Sequence, residues 1–182
     1  DSSTFIIACN DYYSKQNSIK IRNVLNEKKK NGKFVGSMPC YGYMRDPDDK
    51  GHLIPDPETS KVVKDIFTWF VTGVGISDIV SRLNDNNVLS PSARKNIKHS
   101  KQCIYDGWTI SSVRKILKNK MYCGDMVQSV QTKINYKSKK KVALDPSMWI
   151  VVENTHEAII DRKTFIEVNT RKGRIHESKV GR

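Results

Sequence analysis

Apolar positions come in three distinct rhythms along the chain. Phe5, Ala8, Tyr12 and Ile19 follow one helical face, and Ile21, Val24 and Leu25 continue an apolar stripe. This predicts one long helix from Phe5 to about Asn31. Its last turn carries Lys28, Lys29 and Lys30, where the helix dipole favours positive charge, and Asn31-Gly32 is a stop signal. The middle, Ser14 to Ser18, is too polar for a core helix, so the helix is expected to bridge two domains or pack on a partner. Periodicity then lapses from Gly32 to Pro55. The turn residues Gly36, Pro39, Gly42, Pro47-Asp48-Asp49 and Gly51 predict a linker there, pinned to the next domain by Tyr41 and Tyr43.

The helical rhythm returns at Asp56-Pro57-Glu58, with Asp as N-cap and Pro in the first turn. Val62, Val63, Ile66, Phe67, Phe70 and Val71 make this the main core helix, ending at Gly73. Ser77 is the expected cap of a second helix carrying Ile79, Val80 and Leu83, closed by Asn86-Asn87. Val88 to Gly107 shows no pattern and reads as a long connection, of the length that is usually functional or mobile. From Trp108 to Gly124 a short helix is predicted, capped by Thr109 and buried along Val113, Ile116 and Leu117. Ser111, Ser112, Arg114, Lys115 and Lys118 occupy its other face. The rhythm changes to alternation after Tyr122: Met126, Val130, Ile134 and Tyr136 on one side, Ser129, Gln131 and Lys133 on the other. A basic tip from Lys137 to Lys141, a turn at Asp145-Pro146 and a returning strand from Trp149 to Val152 complete a hairpin. Asp161 caps a last helix with Phe165 and Val168, which runs into Arg171-Lys172-Gly173-Arg174.

The resulting fold class is α+β: a mainly helical unit with a helix-turn-helix-like three-helix core and a β-hairpin, preceded by one long linking helix. The connection before Trp108 is far longer than the tight turn of that motif, so only the helix order is shared with it. The expected division is a long helix over 1–31, a linker over 32–55, the main domain over 56–170 and a further linker from 171 to 182.

Charge changes what this outline means. The 182 residues carry a formal net charge of +13. Residues 1–91 hold 12 Lys+Arg against 11 Asp+Glu, whereas residues 92–182 hold 20 against 8. An excess confined to the half containing the Trp108 helix points to a polyanion, nucleic acid first and an acidic membrane surface second. A short helix with a small-polar and basic outer face has the shape of a major-groove reader, although many solvated helices share it. The Lys28–Lys30 run reads either as a solvated helix end or as a phosphate contact, and the hairpin tip either as a wing into a groove or as a solvated loop. An RNA-binding module is disfavoured, since the clustered surface aromatics that stack bases are missing.

Reaction chemistry is absent from the pattern. His156-Glu157 opens like a zinc-protease motif but lacks the second His, and neither a G-x-S-x-G turn nor a phosphate loop occurs. His156 is expected to be a turn or packing residue. Cys9, Cys40, Cys103 and Cys123 form no C-x-x-C pair, so reduced and mostly buried thiols in a cytosolic protein are expected, with neither a zinc site nor a disulfide framework. No apolar run approaches the ~18 residues of a membrane span, and no signal peptide opens the chain. It starts at Asp1 in mid-pattern and reads as a piece of something longer.

Taken together, the residues resemble the large serine recombinases, the family of phage integrases and transposases of mobile elements. The run Gly32, Phe34, Gly36 and Pro39-Cys40-Tyr41-Gly42-Tyr43 is similar to the junction behind their catalytic domain. Val63, Ile66-Phe67, Gly73 to Ser77, Leu83-Asn84, Trp108, Val113, Ile116-Leu117, Asn119 and Tyr122-Cys123-Gly124 continue the likeness in order. His156 to Asp161, with Phe165, closes it, so the match covers about residues 10–170. Cys40 stands where a second Pro is common and Asn87 where Gly is common.

The resemblance implies a DNA-binding recombinase domain, cytoplasmic in a bacterium, that engages one half of an attachment site or element end. It implies that the long helix ends a resolvase-like catalytic domain, with the nucleophilic Ser upstream of Asp1 and no catalytic residue here. Self-association belongs to the full-length enzyme, and zinc is expected only in a further C-terminal domain, leaving this piece without cofactor. Base contacts are expected from Ser111, Ser112, Arg114, Lys115 and Lys118 around the Thr109 cap. Phosphate contacts are expected from Lys28, Lys29, Lys30, Arg94, Lys95, Lys98, Lys101, Lys133, Lys137, Lys139, Lys140 and Lys141, with Arg171, Lys172 and Arg174 adding to the basic surface. A winged-helix transcriptional regulator is the alternative: it would do the same physical work but carry an effector or dimerisation domain upstream.

Overall fold

The computed structural model describes residues 2–99, 107–134 and 140–170, with the side chains of residues 2–5, 8 and 96–99 excepted. Of the expected contact residues, Lys101, Lys137, Lys139, Arg171, Lys172 and Arg174 lie outside the described residues, and Lys98 is described by its backbone alone.

The long helix α1 spans Ser2–Lys30. Most of its apolar side chains, including Ile6, Tyr12, Ile21 and Val24, are exposed. Its end is firmly placed. Gly32 takes φ +70°, and Lys33 N donates to Lys28 O. An antiparallel hairpin comes next, β1 (Tyr43–Arg45) with β2 (Leu53–Pro55), pairing Met44 with Ile54. The stretch read as a linker therefore enters the core, because Tyr43 and Leu53 are both buried. Tyr43 Oη donates toward the carbonyls of Met121 and Glu157, and Tyr41 Oη donates to Leu89 O, so both tyrosines pin the segment as expected.

Helix α2 runs Thr59–Val71, two residues inside its predicted start. Asp56 still organises that end: its carboxylate accepts from Glu58 N and the Thr59 hydroxyl, and its carbonyl accepts from Ser60 N. Helix α3 is Ile76–Asp85, and its cap is Gly75 in extended conformation rather than Ser77. Asn87, at φ 52°, closes it in the left-handed region as the sequence implied. The supposed connection after it holds a helix, α4 (Pro91–His99), begun by Ser90, whose hydroxyl accepts from Ala93 N at 3.1 Å. Helix α5 is Ile110–Lys118, a 3-10 turn covers Lys120–Cys123, and helix α6 is Arg162–Thr170. Asp161 caps α6 through Thr164 N at 2.8 Å.

Helices α2, α3, α5 and α6 share one core. Val63, Ile66, Phe67 and Phe70 of α2 meet Ile79 and Leu83 of α3, Val113, Ile116 and Leu117 of α5, and Phe165 and Val168 of α6. Burying such side chains contributes about 1.5–3 kcal/mol each. His156 is a packing residue, as expected. Its ring sits edge-on to Tyr43, Nε2 donates to Met121 O at 2.8 Å and Nδ1 accepts from the Thr155 hydroxyl.

The hairpin after the core differs from its sequence pattern. Two short ladders succeed each other along one arm: β3 (Met126–Gln128) with β6 (Ile150–Val152), then β4 (Gln131–Lys133) with β5 (Lys141–Ala143). Ser129, at φ 59°, breaks the alternation between them. Met126 is therefore buried, while Val130 and Ile134, expected on the same face, are exposed. At the arm's base Asp125 receives both Arg162 nitrogens at 2.6 and 3.0 Å.

Candidate nucleic-acid interface

Helix α5 is held at both ends by amide side chains. Asn84 of α3 accepts from Trp108 N at 2.8 Å and donates to Trp108 O at 3.2 Å, just ahead of the cap. Asn169 of α6 donates to Leu117 O at 3.0 Å. Trp108 itself is buried, its indole N–H donating to Val88 O. An apolar stripe alone is non-directional, and these bonds fix which way the helix faces.

Two of the expected contact residues build the cap. Thr109 Oγ1 accepts from Ser112 N, and Ser112 Oγ accepts from Thr109 N, a reciprocal capping box. Both hydroxyls are engaged by the helix start. At about 100° per residue, the buried Val113, Ile116 and Leu117 define the inner face, and Ser111, Lys115 and Lys118 project from the opposite one. All three are exposed. Arg114 lies on the flank and is half-buried, with Nε fully enclosed and without a hydrogen-bond partner.

A groove runs along each side of this crest. One, of about 290 Å³, lies toward the segment 40–41 and α4, and is lined by Tyr41, Pro91, Ser92, Thr109, Ser111 and Lys115. It abuts a larger hollow bounded by Ser37 to Arg45, Arg94 and Lys95. The other, of about 630 Å³, lies toward the arm: Arg114, Lys118 and Lys120 face Val127, Val130 and Trp149. Lys120, in the turn directly behind α5, and Trp149, which the arm's return brings to it, were not among the expected contact residues.

The remaining basic residues divide. Lys95, Lys133, Lys140 and Lys141 are exposed around this face or on the arm. Arg94, expected on phosphate, is turned inward: Nη2 meets Asp56 Oδ2 at 2.5 Å and Nη1 meets Glu58 Oε2 at 3.0 Å. Lys29 donates to Ser129 Oγ at 3.2 Å, tying α1 to the arm, and Lys30 pairs with Glu27 at 3.2 Å. Lys28 is exposed.

The two thiols described in this region are not poised as nucleophiles. Burial pushes the Cys40 thiol up to about 12, against the opposing hydrogen bonds from its own backbone, Tyr122 and Asn119. Burial likewise raises the Cys123 thiol, with Asp125 adding to the effect. Thiols raised in this way are poor nucleophiles at neutral pH. Among the described residues no group of His, Cys, Asp or Glu is clustered to hold a metal, and no helix is long and apolar enough to cross a membrane.

Fold and face define a class, a helical domain that presents one capped basic helix between two grooves. Residues 57–174 match the family model described as Recombinase. The chain belongs to the recombinase family, and the large serine recombinase likeness read from its residues stands. Among curated proteins it is 32% identical over 100 residues to the uncharacterized protein YefB of Bacillus subtilis (strain 168), covering 53% of this chain and 32% of that one. Among solved structures it is similar to one from work on the sequence requirements of the Listeria innocua prophage attP site. That likeness has a TM-score of 0.50 at 18% identity, over 84% of this chain and 51% of the other, and supports the α+β fold. A second, the crystal structure of an LSR–DNA complex, gives a TM-score of 0.49 at 20% identity, over 85% and 38%. The chain thus spans about a third of its curated relative and about half or less of these structures.

Proposed function

We propose that this chain is the sequence-specific, double-stranded-DNA-binding domain of a large serine recombinase, which positions an attachment-site or element-end half-site for cleavage carried out elsewhere. The observation that carries the reading is the crest of α5: Ser111, Lys115 and Lys118 stand exposed between two grooves. A helix with side chains is about 10–12 Å across, and the major groove of B-DNA is about 12 Å wide. With the crest in the groove, the two flanking depressions face the two sugar-phosphate strands that border it. Ser111 and Lys115 read base edges, and Lys95, Lys118, Lys120 and the arm lysines neutralise phosphates. One structure of similar fold comes from work on a prophage attP site, which is consistent with DNA as the partner.

In the whole enzyme, strand cleavage by a serine nucleophile, self-association and any zinc site belong to other domains. The recombinase family match favours this reading over a winged-helix regulator. The test is selection of duplexes from a random library by this chain, with fluorescence anisotropy on the selected and a scrambled duplex over a salt series. The reading expects an enriched half-site bound at least 10³-fold more tightly than scrambled DNA, in the range usual for specific recognition. Failure to enrich any sequence, with equal binding of both duplexes, refutes specific recognition.

A further inference from the structure

The two grooves beside α5 are chemically unlike. The one toward the arm has basic side chains along one wall, Arg114, Lys118 and Lys120, and an apolar wall of Val127, Val130 and Trp149 opposite. No carboxylate occurs among its described lining residues. The Trp149 indole is anchored by its own N–H, which donates to Leu144 O at 3.1 Å, so its nitrogen is already satisfied within the arm. Arg114 sits at the bottom edge of this wall. Its Nε is enclosed and unsatisfied, a costly state for a buried donor. A charge-assisted acceptor reaching the guanidinium would relieve part of that cost by drawing the group outward.

We infer that this groove is a seat for one sugar-phosphate strand, and that Arg114 is a phosphate ligand rather than a base reader. The inference rests on the DNA-binding reading and deepens it. A phosphodiester supplies the anionic oxygens that a planar guanidinium takes with two parallel bonds, and the deoxyribose offers an apolar edge to Trp149 and Val127. Arg114 lies on the flank of the helix, about 70° round from the centre of the crest, which aims it at the strand bordering the major groove and away from the base edges. It therefore contributes affinity without sequence information. Lys115, on the crest, carries the information.

Arg114→Gln keeps the stem to Cδ and a polar end but removes the charge, and Trp149→Ala removes the aromatic part of the apolar wall. Both are measured in the full chain by anisotropy, on the duplex selected by the wild type and on a scrambled duplex, with melting curves confirming the fold. If one phosphate contact is lost, the salt slope falls by about 0.9, so the affinity loss shrinks from about fifteenfold at 50 mM salt to about fourfold at 200 mM. The loss is the same on both duplexes. A methylphosphonate scan of the selected duplex then finds one phosphate whose neutralisation weakens the wild type but not R114Q. A loss confined to the selected duplex makes Arg114 a base reader and overturns the inference, as does an unchanged slope or the absence of any such phosphate. If the wild type binds neither duplex, the DNA reading itself fails.

Discussion

Arg94 gives the sharpest separation between a charge read from sequence and a charge seen in its surroundings. Its guanidinium closes a clasp between α4 and the start of α2. The Asp56 carboxylate, mostly buried, receives Arg94 at 2.5 Å, the Thr59 hydroxyl at 2.9 Å and Glu58 N at 3.2 Å, while Thr59 Oγ1 in turn accepts from Gly42 N at 3.2 Å. One network thus joins α4, α2 and the segment leading into β1. In Arg94→Ala the carboxylate keeps its two neutral donors, so the cost lies below the 3–5 kcal/mol of a fully uncompensated buried charge. A hydrogen bond to a charged partner contributes about 1.5–3 kcal/mol. The second contact, to the exposed Glu58, adds no more than about 1 kcal/mol. Arg94→Ala is therefore expected to destabilise by about 2–3 kcal/mol. Asp56→Ala is expected to cost at least as much, because it also removes the bonds that start α2, about 0.5–2 kcal/mol for a cap. Urea unfolding monitored by tryptophan fluorescence reads all three variants, the double mutant included. The pair should couple by about 1–3 kcal/mol in a double-mutant cycle. The opposite pattern refutes the argument: stability within about 0.5 kcal/mol of wild type, as for an ordinary surface change, together with a DNA salt slope lower by about 0.9, as for a lost phosphate contact.

Three further outcomes rest on single contacts. Lys115→Ala should relax base preference at one position of the selected half-site by about 1–3 kcal/mol and leave other positions unchanged, measured by anisotropy on single-substitution duplexes; uniform weakening on all of them would remove Lys115 from the reading face. Gly32→Ala should destabilise twice over, by about 1–2 kcal/mol for its positive φ and about 1–3 kcal/mol for overpacking, since a Cβ there falls 2.6 Å from Thr155 Cγ2. Adding Thr155→Ser, which removes that methyl and keeps the hydroxyl, should recover the second part only, and a urea series showing no recovery contradicts the contact. Burial holds the His156 imidazole below its ordinary 6.5, with the Met121 carbonyl opposing. The unfolded chain therefore takes up this proton first as pH falls. The associated stability is complete above 6.5 and is lost between there and the lower folded value. Melting temperatures from pH 8 to pH 5 should fall more steeply for wild type than for His156→Asn, and parallel curves would exclude the histidine as the cause.

What the sequence revealed was set by the range of each interaction. The start and buried face of helix α5 were legible because their determinants are local: Thr109 caps three residues ahead, and Val113, Ile116 and Leu117 repeat within two turns, although the helix ends at Lys118, short of Gly124. The same holds for Asp161 with Phe165 and Val168. Strands β1 and β2 escaped because three residues are too few for alternation to register, and Tyr43 reads as a lone tyrosine until Met121 and Ile159 are brought to it. Helix α4 carries only a local signal. Ser90-Pro91 is a cap with a first-turn proline behind it, but among the side chains described only Ala93 of α4 is deeply buried, so no stripe announced the helix. The Arg94 ion pair is invisible for a related reason, its partner lying 38 residues back. Trp149 reaches the groove beside α5 only through the arm's return.

The direction of α5 depends on polar contacts more than on its apolar stripe. Val113, Ile116 and Leu117 would lose little if the helix rolled slightly, because apolar burial has no preferred angle. Asn84 and Asn169 do not tolerate that roll. Each grips backbone atoms at opposite ends of the helix within 2.8–3.2 Å, and hydrogen bonds weaken steeply as they lengthen and bend. The arm is fixed by a third amide: Gln128 accepts from Val35 N at 3.2 Å and donates to Lys33 O at 2.9 Å, binding β3 to the segment that leaves α1. The crest of α5, the arm-side groove and the end of α1 therefore share one hydrogen-bonded frame. A duplex that seats on the crest and in that groove meets surfaces whose relative positions are set before binding, so little ordering cost remains at the moment of contact. The same frame fixes where α1 leaves the domain. The crest of α5 and the direction of α1 are thereby joined through Gln128 and the turn at Gly32, which, under the proposed DNA-binding role, makes these two residues as consequential for geometry as the lysines on the crest.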